Sequence, residues 1–262
     1  MYGYLQQIWK CRYLWLSLAF IDLRARYRRS ILGIGWSLVR PLVFTLVLCV
    51  VFQKLFRRHD VWSYAPYLLA GLCCWDYLVT ATKQGCQCFF QAEAYIRQCP
   101  TPIAIFPLRT ALVETIHFLV ALVVLVGLSW YVRGFSNLPV LISLIPSLVL
   151  FFGIAWALAI LAGFANVYFQ DTQHLCDVGF QLLFYATPIV YYPGDLGDGM
   201  IAYLFCHCNP INPFMHLIRE PIVYGNFPTL ANYGKAFAVL FVFGSLAGFL
   251  CSRLQRRLIF QL

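Results

Sequence analysis

LPVLISLIPSLVLFFGIAWALAILAGFANV, residues 138–167, runs for thirty residues without a charged side chain. About 20 apolar residues suffice to carry a helix through the hydrocarbon of a bilayer. The stretch is therefore read as a membrane span, and it sets the fold class for its surroundings. Working outward, apolar runs at 104–131, 64–82 and 31–53 on one side and at 172–192 and 234–252 on the other complete an expectation of six spans. The fold class is an all-α polytopic membrane protein. Composition agrees: the 262 residues are 61% hydrophobic and 11% charged, where soluble domains run at about 45–50% and about 25%. Mean hydropathy is +0.74. Six spans leave no length for a water-soluble catalytic domain.

Between the last two runs, 193–233 is too polar and broken to span. It holds two apolar pieces, 201–205 and 214–223, around Asn209-Pro210-Ile211-Asn212-Pro213. These read as re-entrant half-helices, since irregular backbone at membrane depth must be shielded by protein or face a watery cavity. At the other end, 1–30 is not expected to be a secretory signal: its apolar part is short, and basic residues rather than a cleavage site follow. As a helix it places Leu5, Ile8, Trp9, Leu16, Phe20, Leu23 and Tyr27 on one face. That pattern suits an amphipathic helix in the membrane interface, with an ordinary first span as the alternative. The organisation is thus a cytoplasmic interface segment, 1–30, and a six-span domain, 31–262, that includes the external region 193–233.

The net charge of +9 comes from 19 basic and 10 acidic residues. The basic residues flank apolar runs, so they read as orientation signals and not as a nucleic-acid footprint. Lys10, Arg12, Arg24, Arg26, Arg28, Arg29, Lys83, Arg97, Arg253, Arg256 and Arg257 fall on one side. Lys54, Arg57, Arg58, Arg133 and Arg219 fall on the other. Both termini are therefore expected to be cytoplasmic, with the 54–58 cluster as an outward exception. The 11 cysteines, several within apolar runs, give no disulfide framework.

No nucleotide cradle is present, because none of Lys10, Lys54, Lys83 and Lys235 precedes a serine or threonine as a phosphate loop requires. No zinc-protease helix and no nucleophile elbow occurs. Cys206-His207-Cys208 is too tight to close a tetrahedral metal site alone, so no metal is expected. Ionisable groups inside apolar runs are costly and often functional: Asp76, Arg109, Glu114 and His117. Glu114 and His117 share a helix face, which admits a proton relay; the simpler alternative is that Glu114 pairs with Arg109 or with another helix. Aromatic residues make up 18% of the chain. Tyr168, Phe169, Phe180, Phe184, Tyr185, Tyr191 and Tyr192 around the fifth run, with Trp36 and Phe44 on the first, could line a conduit along which sugar rings stack. Lipid-facing packing is the alternative.

Four stretches resemble the permeases of polysaccharide-exporting ATP-binding cassette transporters. They are Arg26-Tyr27-Arg28-Arg29-Ser30-Ile31-Leu32-Gly33-Ile34-Gly35-Trp36 with Pro41; Ala94-Tyr95-Ile96-Arg97 with Pro102 and Phe106-Pro107-Leu108; Val167-Tyr168-Phe169-Gln170-Asp171 through Thr187-Pro188-Ile189-Val190-Tyr191-Tyr192-Pro193; and Asn209-Pro210 with Arg219 and Gly225. Gln170 departs from the arginine common in the family. The resemblance implies a homodimer of six-span subunits enclosing a conduit, re-entrant helices formed around Asn209, Pro210 and Arg219, and two separate ATPase subunits that hold ATP and Mg. This chain itself would bind no cofactor. The cargo implied is a lipid-linked glycan, most closely an O-antigen, with teichoic acid or capsule as other branches of the family; localisation is the cell inner membrane.

With no phosphate loop of its own, the chain must receive work through surface contacts. The helix 4–23 and the segment 91–99 are the cytoplasmic candidates, with Gln91, Glu93, Tyr95 and Arg97 as the coupling residues. Arg24, Arg26, Arg28 and Arg29 either set topology or meet the pyrophosphate of the lipid carrier at the substrate entrance. Gly33, Gly35, Pro41 and Pro188 are expected to permit close approach or kinking of the first and fifth spans during gating. Rival readings keep the architecture with a drug or small lipid as cargo, or make the chain a membrane-embedded transferase or a structural subunit.

Overall fold

The computed structural model describes residues 2–28, 30, 33–56, 61–98, 101–134, 138–197, 199–258 and 261. Arg29 of the expected substrate entrance and Arg57 and Arg58 of the 54–58 cluster lie outside the described residues. Among those described, every regular element is helical: α1 (Tyr2–Lys10), α2 (Arg12–Tyr27), α3 (Trp36–Phe56), α4 (Val61–Gln87), α5 (Glu93–Gln98), α6 (Ile105–Arg133), α7 (Leu144–Tyr168), α8 (Thr172–Ala186), α9 (Met200–Tyr203), α10 (Asn212–Arg219) and α11 (Leu230–Leu258).

Among the described residues, four stretches, Gly33–Val51, Ile105–Arg133, Leu138–Tyr168 and Leu230–Gln255, are long and apolar enough to cross a membrane. α4 is 27 residues long, about 40 Å at 1.5 Å per residue, but carries Asp76, Thr80, Thr82, Lys83 and Gln84. Its polarity is tolerated because other helices enclose it: Leu68, Ala70, Cys74 and Ala81 have no exposed surface at all. α8 stops at Ala186, short of the expected end at 192. The residue before a proline is pushed out of helical geometry, so Thr187-Pro188 ends this helix where a kink was expected.

The N-terminal segment is likewise two helices and not one, broken at Cys11, where the Trp15 indole N–H donates to the Ile8 carbonyl at 3.1 Å. The expected single apolar face divides. Ile8 is buried against the bundle, whereas Trp9, Leu16 and Phe20, together with Tyr13, form an exposed stripe. Within α2 the spacings of three and four put Tyr13, Leu16 and Phe20 on one outer face.

α4 is the hub. It runs antiparallel to α6 and α8 and parallel to α7. Tyr77 of α4 stacks 4.8 Å from Phe118 of α6 and lies 5.6 Å from Phe151 of α7. Farther along, α4 and α7 approach so closely that a Cβ on Gly85 would sit 2.5 Å from the Ala159 Cα. Apolar side chains form two stacked cores. One joins the first half of α4 with α10 and the start of α7; the other joins α1, α2 and α5 with the last turns of α7 and α11. On α3 only Pro41, Thr45 and Cys49 are buried among the described residues, one strip at four-residue spacing. Leu38 and Leu48 pack half-buried against the same core, and the other described side chains from 42 to 51 are exposed.

The close α4–α7 crossing yields a direct check. Gly85→Val drives a side chain into backbone and is expected to destabilise the protein by about 1–3 kcal/mol or more. Gly127→Ala, where a Cβ meets nothing within 4 Å, should leave the melting temperature in detergent essentially unchanged. Equal melting temperatures for both variants would contradict the packing.

Candidate functional site

The ionisable residues of the apolar runs converge on one region, and each acid found there has a cation from a neighbouring helix. Asp22 of α2 meets Arg109 of α6 at 2.9 Å. One turn on, Arg26 donates to Glu114 at 2.8 Å; the glutamate side chain is 5% exposed and the arginine 36%. The Tyr27 hydroxyl lies 3.1 Å from His117 Nδ1. These three contacts advance in the same sense along both chains, so α2 climbs beside α6. Burial pushes the Asp22 carboxyl up, and Arg109 and then Arg26 draw it back. Glu114 therefore pairs with another helix and not with Arg109, and His117 turns to a tyrosine: among the described residues these contacts are ties between helices.

Beside these ties lies a cavity of about 400 Å³ between α2, α3, α4 and α6. Arg26, Glu114 and His117 form one wall, Asp76, Tyr77 and Thr80 the floor, and Trp36, Ser37 and Pro41 the opposite wall. A second cavity of about 160 Å³ continues from it across Pro41 and Asp76 to Arg40, Phe44, Leu72, Trp75 and Phe184. Asp76 faces Arg40 at 3.8 Å, too far for a hydrogen bond. The two cavities meet at Pro41 and Asp76 as one groove, with Tyr27, Trp36, Tyr77 and Phe118 in the first part, Phe44, Trp75 and Phe184 in the second, and most of the polar side chains in the first.

The expected aromatic residues are only partly gathered here. Trp36 and Phe44 stand on the α3 wall. Phe180 and Phe184 pack edge-on against Trp75, at 5.8 and 5.6 Å. Tyr168 and Phe169 are exposed at the far end of α8, and Tyr185 is exposed on its outer side. Tyr191 and Tyr192 belong to another constellation, since Tyr192 stacks on Tyr67 of α4 at 4.3 Å.

That second constellation closes the break after α8. Arg219 of α10 donates to the carbonyls of Pro188 at 2.7 Å and Ile189 at 3.2 Å, and its guanidinium sits 3.8 Å over the Tyr67 ring. The Asn209 amide donates to Thr187 Oγ1 at 2.8 Å, and Asn212 donates to the Phe205 and Cys206 carbonyls. Pro210 is exposed at the turn between α9 and α10. The broken region is thus held by α10, while α9 presents Met200 and Tyr203 outward, followed by exposed Leu204.

Among the other expected residues, Gly33 has φ +52°, and a Cβ there would meet nothing within 4 Å. It serves the turn before α3 and not a close helix approach. Gly35 lies in the same turn. Pro41 is inside α3, with Thr45 donating to its carbonyl at 2.7 Å. α5 is pinned by buried Ile96 and presents Tyr95, while Glu93 and Arg97 pair at 2.8 Å and Gln91 is exposed just before it. Arg24 and Arg28 are exposed and enter no ion pair among the described residues. Arg40, Trp75 and Tyr77 were missed by sequence reasoning; the rule that singles out Asp76, charge inside an apolar run, applies equally to Arg40.

Comparison with known proteins supplies a family. Residues 13–223 match the ABC-2 type transporter family. The chain is 27% identical over 236 residues to an O-antigen export system permease protein RfbA of Klebsiella pneumoniae, covering 85% of this chain and 83% of that one. A second such protein from the same organism is 27% identical over 203 residues, 75% and 74% of the two chains. The protein of that name from Myxococcus xanthus is 25% identical over 218 residues, 80% of each chain.

The tie between α2 and α6 can be measured by a double-mutant cycle. Arg26→Leu and Glu114→Leu should each lower the melting temperature and speed tryptic cleavage within α2. The double variant should recover part of the loss, with an interaction energy of about 0.5–3 kcal/mol. Strict additivity would mean that the pair holds nothing.

Proposed function

The chain belongs to the ABC-2 type transporter family, and on that premise we propose that it is the permease subunit of an exporter that moves a lipid-linked polysaccharide, most closely an O-antigen, across the cell inner membrane. It is a membrane-embedded transporter component. The observation that carries the cargo is the shared name and near-full-length similarity of three relatives, each an O-antigen export permease. The groove supports it: polar side chains followed by Phe44, Trp75 and Phe184 suit a ligand with both hydroxyls and apolar ring faces.

In this reading α3, α4, α6, α7, α8 and α11 form six spans and both termini are cytoplasmic. α8 alone rises about 22 Å, less than the ~30 Å of hydrocarbon. The irregular stretch 187–192 adds up to about 3.3 Å per residue and completes the crossing. Re-entrant α9 and α10 then stand at the outer mouth. Two copies of the chain enclose the path, and the outward faces of α3 and α8 are suited to that contact.

ATP and Mg reside on two copies of a separate ATPase subunit. Its work reaches this chain through α1–α2 and α5, with Tyr95 exposed on α5, Arg97 exposed beside its partner Glu93, and Gln91 exposed just before the helix. Arg24 and Arg28, with Arg29 beside them, serve the pyrophosphate of the carrier lipid, while Arg26 is already committed to Glu114. Gating shifts α3 at Pro41, while Pro188, past the end of α8, is held by Arg219 and Tyr67.

Co-purification with the ATPase subunit and reconstitution in vesicles should give ATP-dependent movement of lipid-linked glycan; a complex that moves small lipids or drugs but no glycan would refute the cargo. At the coupling surface, Tyr95→Ala should weaken ATPase docking by about tenfold, 1.4 kcal/mol, as truncation of an aromatic anchor does. Glu93→Ala with Arg97→Ala should lower transport-coupled hydrolysis. Unchanged hydrolysis in both variants would remove α5 from the coupling surface.

A further inference from the structure

The cavity between α2, α3, α4 and α6 is more selective than a general polar path, and its hydrogen-bonding inventory says for what. We infer that it is a subsite for an uncharged sugar residue of the transported glycan, and that the pyrophosphate of the lipid carrier stays outside it. This rests on the proposed export function and narrows the ligand at one place within it.

Charge comes first. The cations at the cavity and its continuation are Arg26 and Arg40, and the anions are Glu114 and Asp76. Each cation faces an anion, Arg26 to Glu114 and Arg40 to Asp76. Among the described residues the walls add only the imidazole of His117 to these two pairs, and a pyrophosphate seated there would lie against two carboxylates.

Hydrogen-bond sense points the same way. The Ser37 hydroxyl donates to the Ile34 carbonyl at 2.6 Å and the Thr80 hydroxyl to the Asp76 backbone carbonyl at 2.6 Å. Their protons are used, so these two oxygens can only accept, and the Ser37 oxygen already lies against the Tyr27 hydroxyl. The Asp76 carboxyl stands 3.8 Å from Arg40, too far for a hydrogen bond, so that contact occupies none of its oxygen positions. The cavity floor is thus rich in acceptors and needs a ligand that donates. Sugar hydroxyls donate; pyrophosphate oxygens do not. Arg40 can still donate to a ring or hydroxyl oxygen, since its side chain is 73% exposed.

Apolar surface completes the fit. Trp36 stands at the rim, 55% exposed, where its face can cover the C–H side of a ring, with Phe118 and Ala121 behind. A volume of about 400 Å³ lies within the range of small-molecule sites, about 300–1,000 Å³.

Thiol protection in the assembled permease–ATPase complex in nanodiscs tests this. In a Ser37→Cys variant, maleimide alkylation at position 37 is followed against the unsubstituted complex, with Thr80→Cys as a second reporter should the first fail to assemble. Two probes are used: a phosphate-free oligosaccharide cut from the O-antigen of the source strain, and farnesyl pyrophosphate. The oligosaccharide should slow alkylation and farnesyl pyrophosphate should not. Adding Asp76→Asn or, at the exposed rim, Trp36→Leu should abolish the protection. Equal protection by farnesyl pyrophosphate, or none by the oligosaccharide, overturns the subsite. A complex that exports glycan yet shows no protection refutes this inference alone; one that exports none in vesicles refutes the reading beneath it.

Discussion

A helix that stops inside a water-poor environment leaves carbonyls with nothing to accept from, and each one buried without a partner costs about 1–3 kcal/mol. α8 stops at Ala186, and the next five residues are irregular. All six carbonyls from 186 to 191 nevertheless have donors. Asn209 serves Ala186, the Ile189 N–H serves Thr187, Arg219 serves Pro188 and Ile189, and Tyr64 serves Val190. Tyr67 shares its one proton between Pro188 and Tyr191, at 3.0 and 2.9 Å. Gly71 is part of the same solution, because a Cβ there would collide with the Arg219 guanidinium. This arrangement bolts α10 and the end of α8 to the first half of α4. It thereby fixes Phe184 against Trp75, and with them their end of the groove.

Charges do the corresponding work nearer the other end of the bundle. Asp22–Arg109 and Arg26–Glu114 tie α2 to α6, Arg40–Asp76 spans α3 and α4, and Lys83–Asp177 at 2.5 Å joins α4 to α8. Desolvation makes such pairs weak sources of net stability, yet removal of one member leaves the other stranded. They therefore specify which helices are neighbours more than how stable the bundle is. Two of the four also border the cavity, so the devices that position α2 and α3 are the ones that make the path polar.

These features differ in how visible they are in the sequence. Residues 138–167 declare their helix through length and absence of charge, and Leu138–Tyr168 is that helix. α4 was visible as an element but not in extent, because its last turns carry Thr82, Lys83 and Gln84, polar residues made acceptable only by neighbours far away in the chain. The Arg26–Glu114 tie joins residues 88 apart, and no local pattern signals it; Arg26 consequently read as a free cation alongside Arg24 and Arg28. Thr187-Pro188 was recognisable as a breaker. Whether a helix resumes beyond a proline depends on who receives the freed carbonyls, and here Tyr64, Tyr67, Asn209 and Arg219 do, each from another element.

The same distribution of ties suggests how work done by an ATPase would reach the groove. α1, α2 and α5 do not pack as separate appendages: Ile8 and Leu18 of the first two and Ile96 of the third share one core with Ile105, Phe106 and Phe164. Well-packed interiors transmit displacement because they compress little, so a push on α5 or on α1 loads one common body. That body meets the cavity at Arg26–Glu114 and Tyr27–His117, where α2 ends. On the far side, α3 meets the bundle along the strip Pro41, Thr45 and Cys49, through half-buried Leu38 and Leu48, and at the loose Arg40–Asp76 contact. Load arriving at the rigid α2–α6 wall would therefore be relieved at the weakly held α3 wall, which carries Trp36 and Phe44. On this reading the groove widens by movement of α3, while α4 and α6 remain the fixed frame.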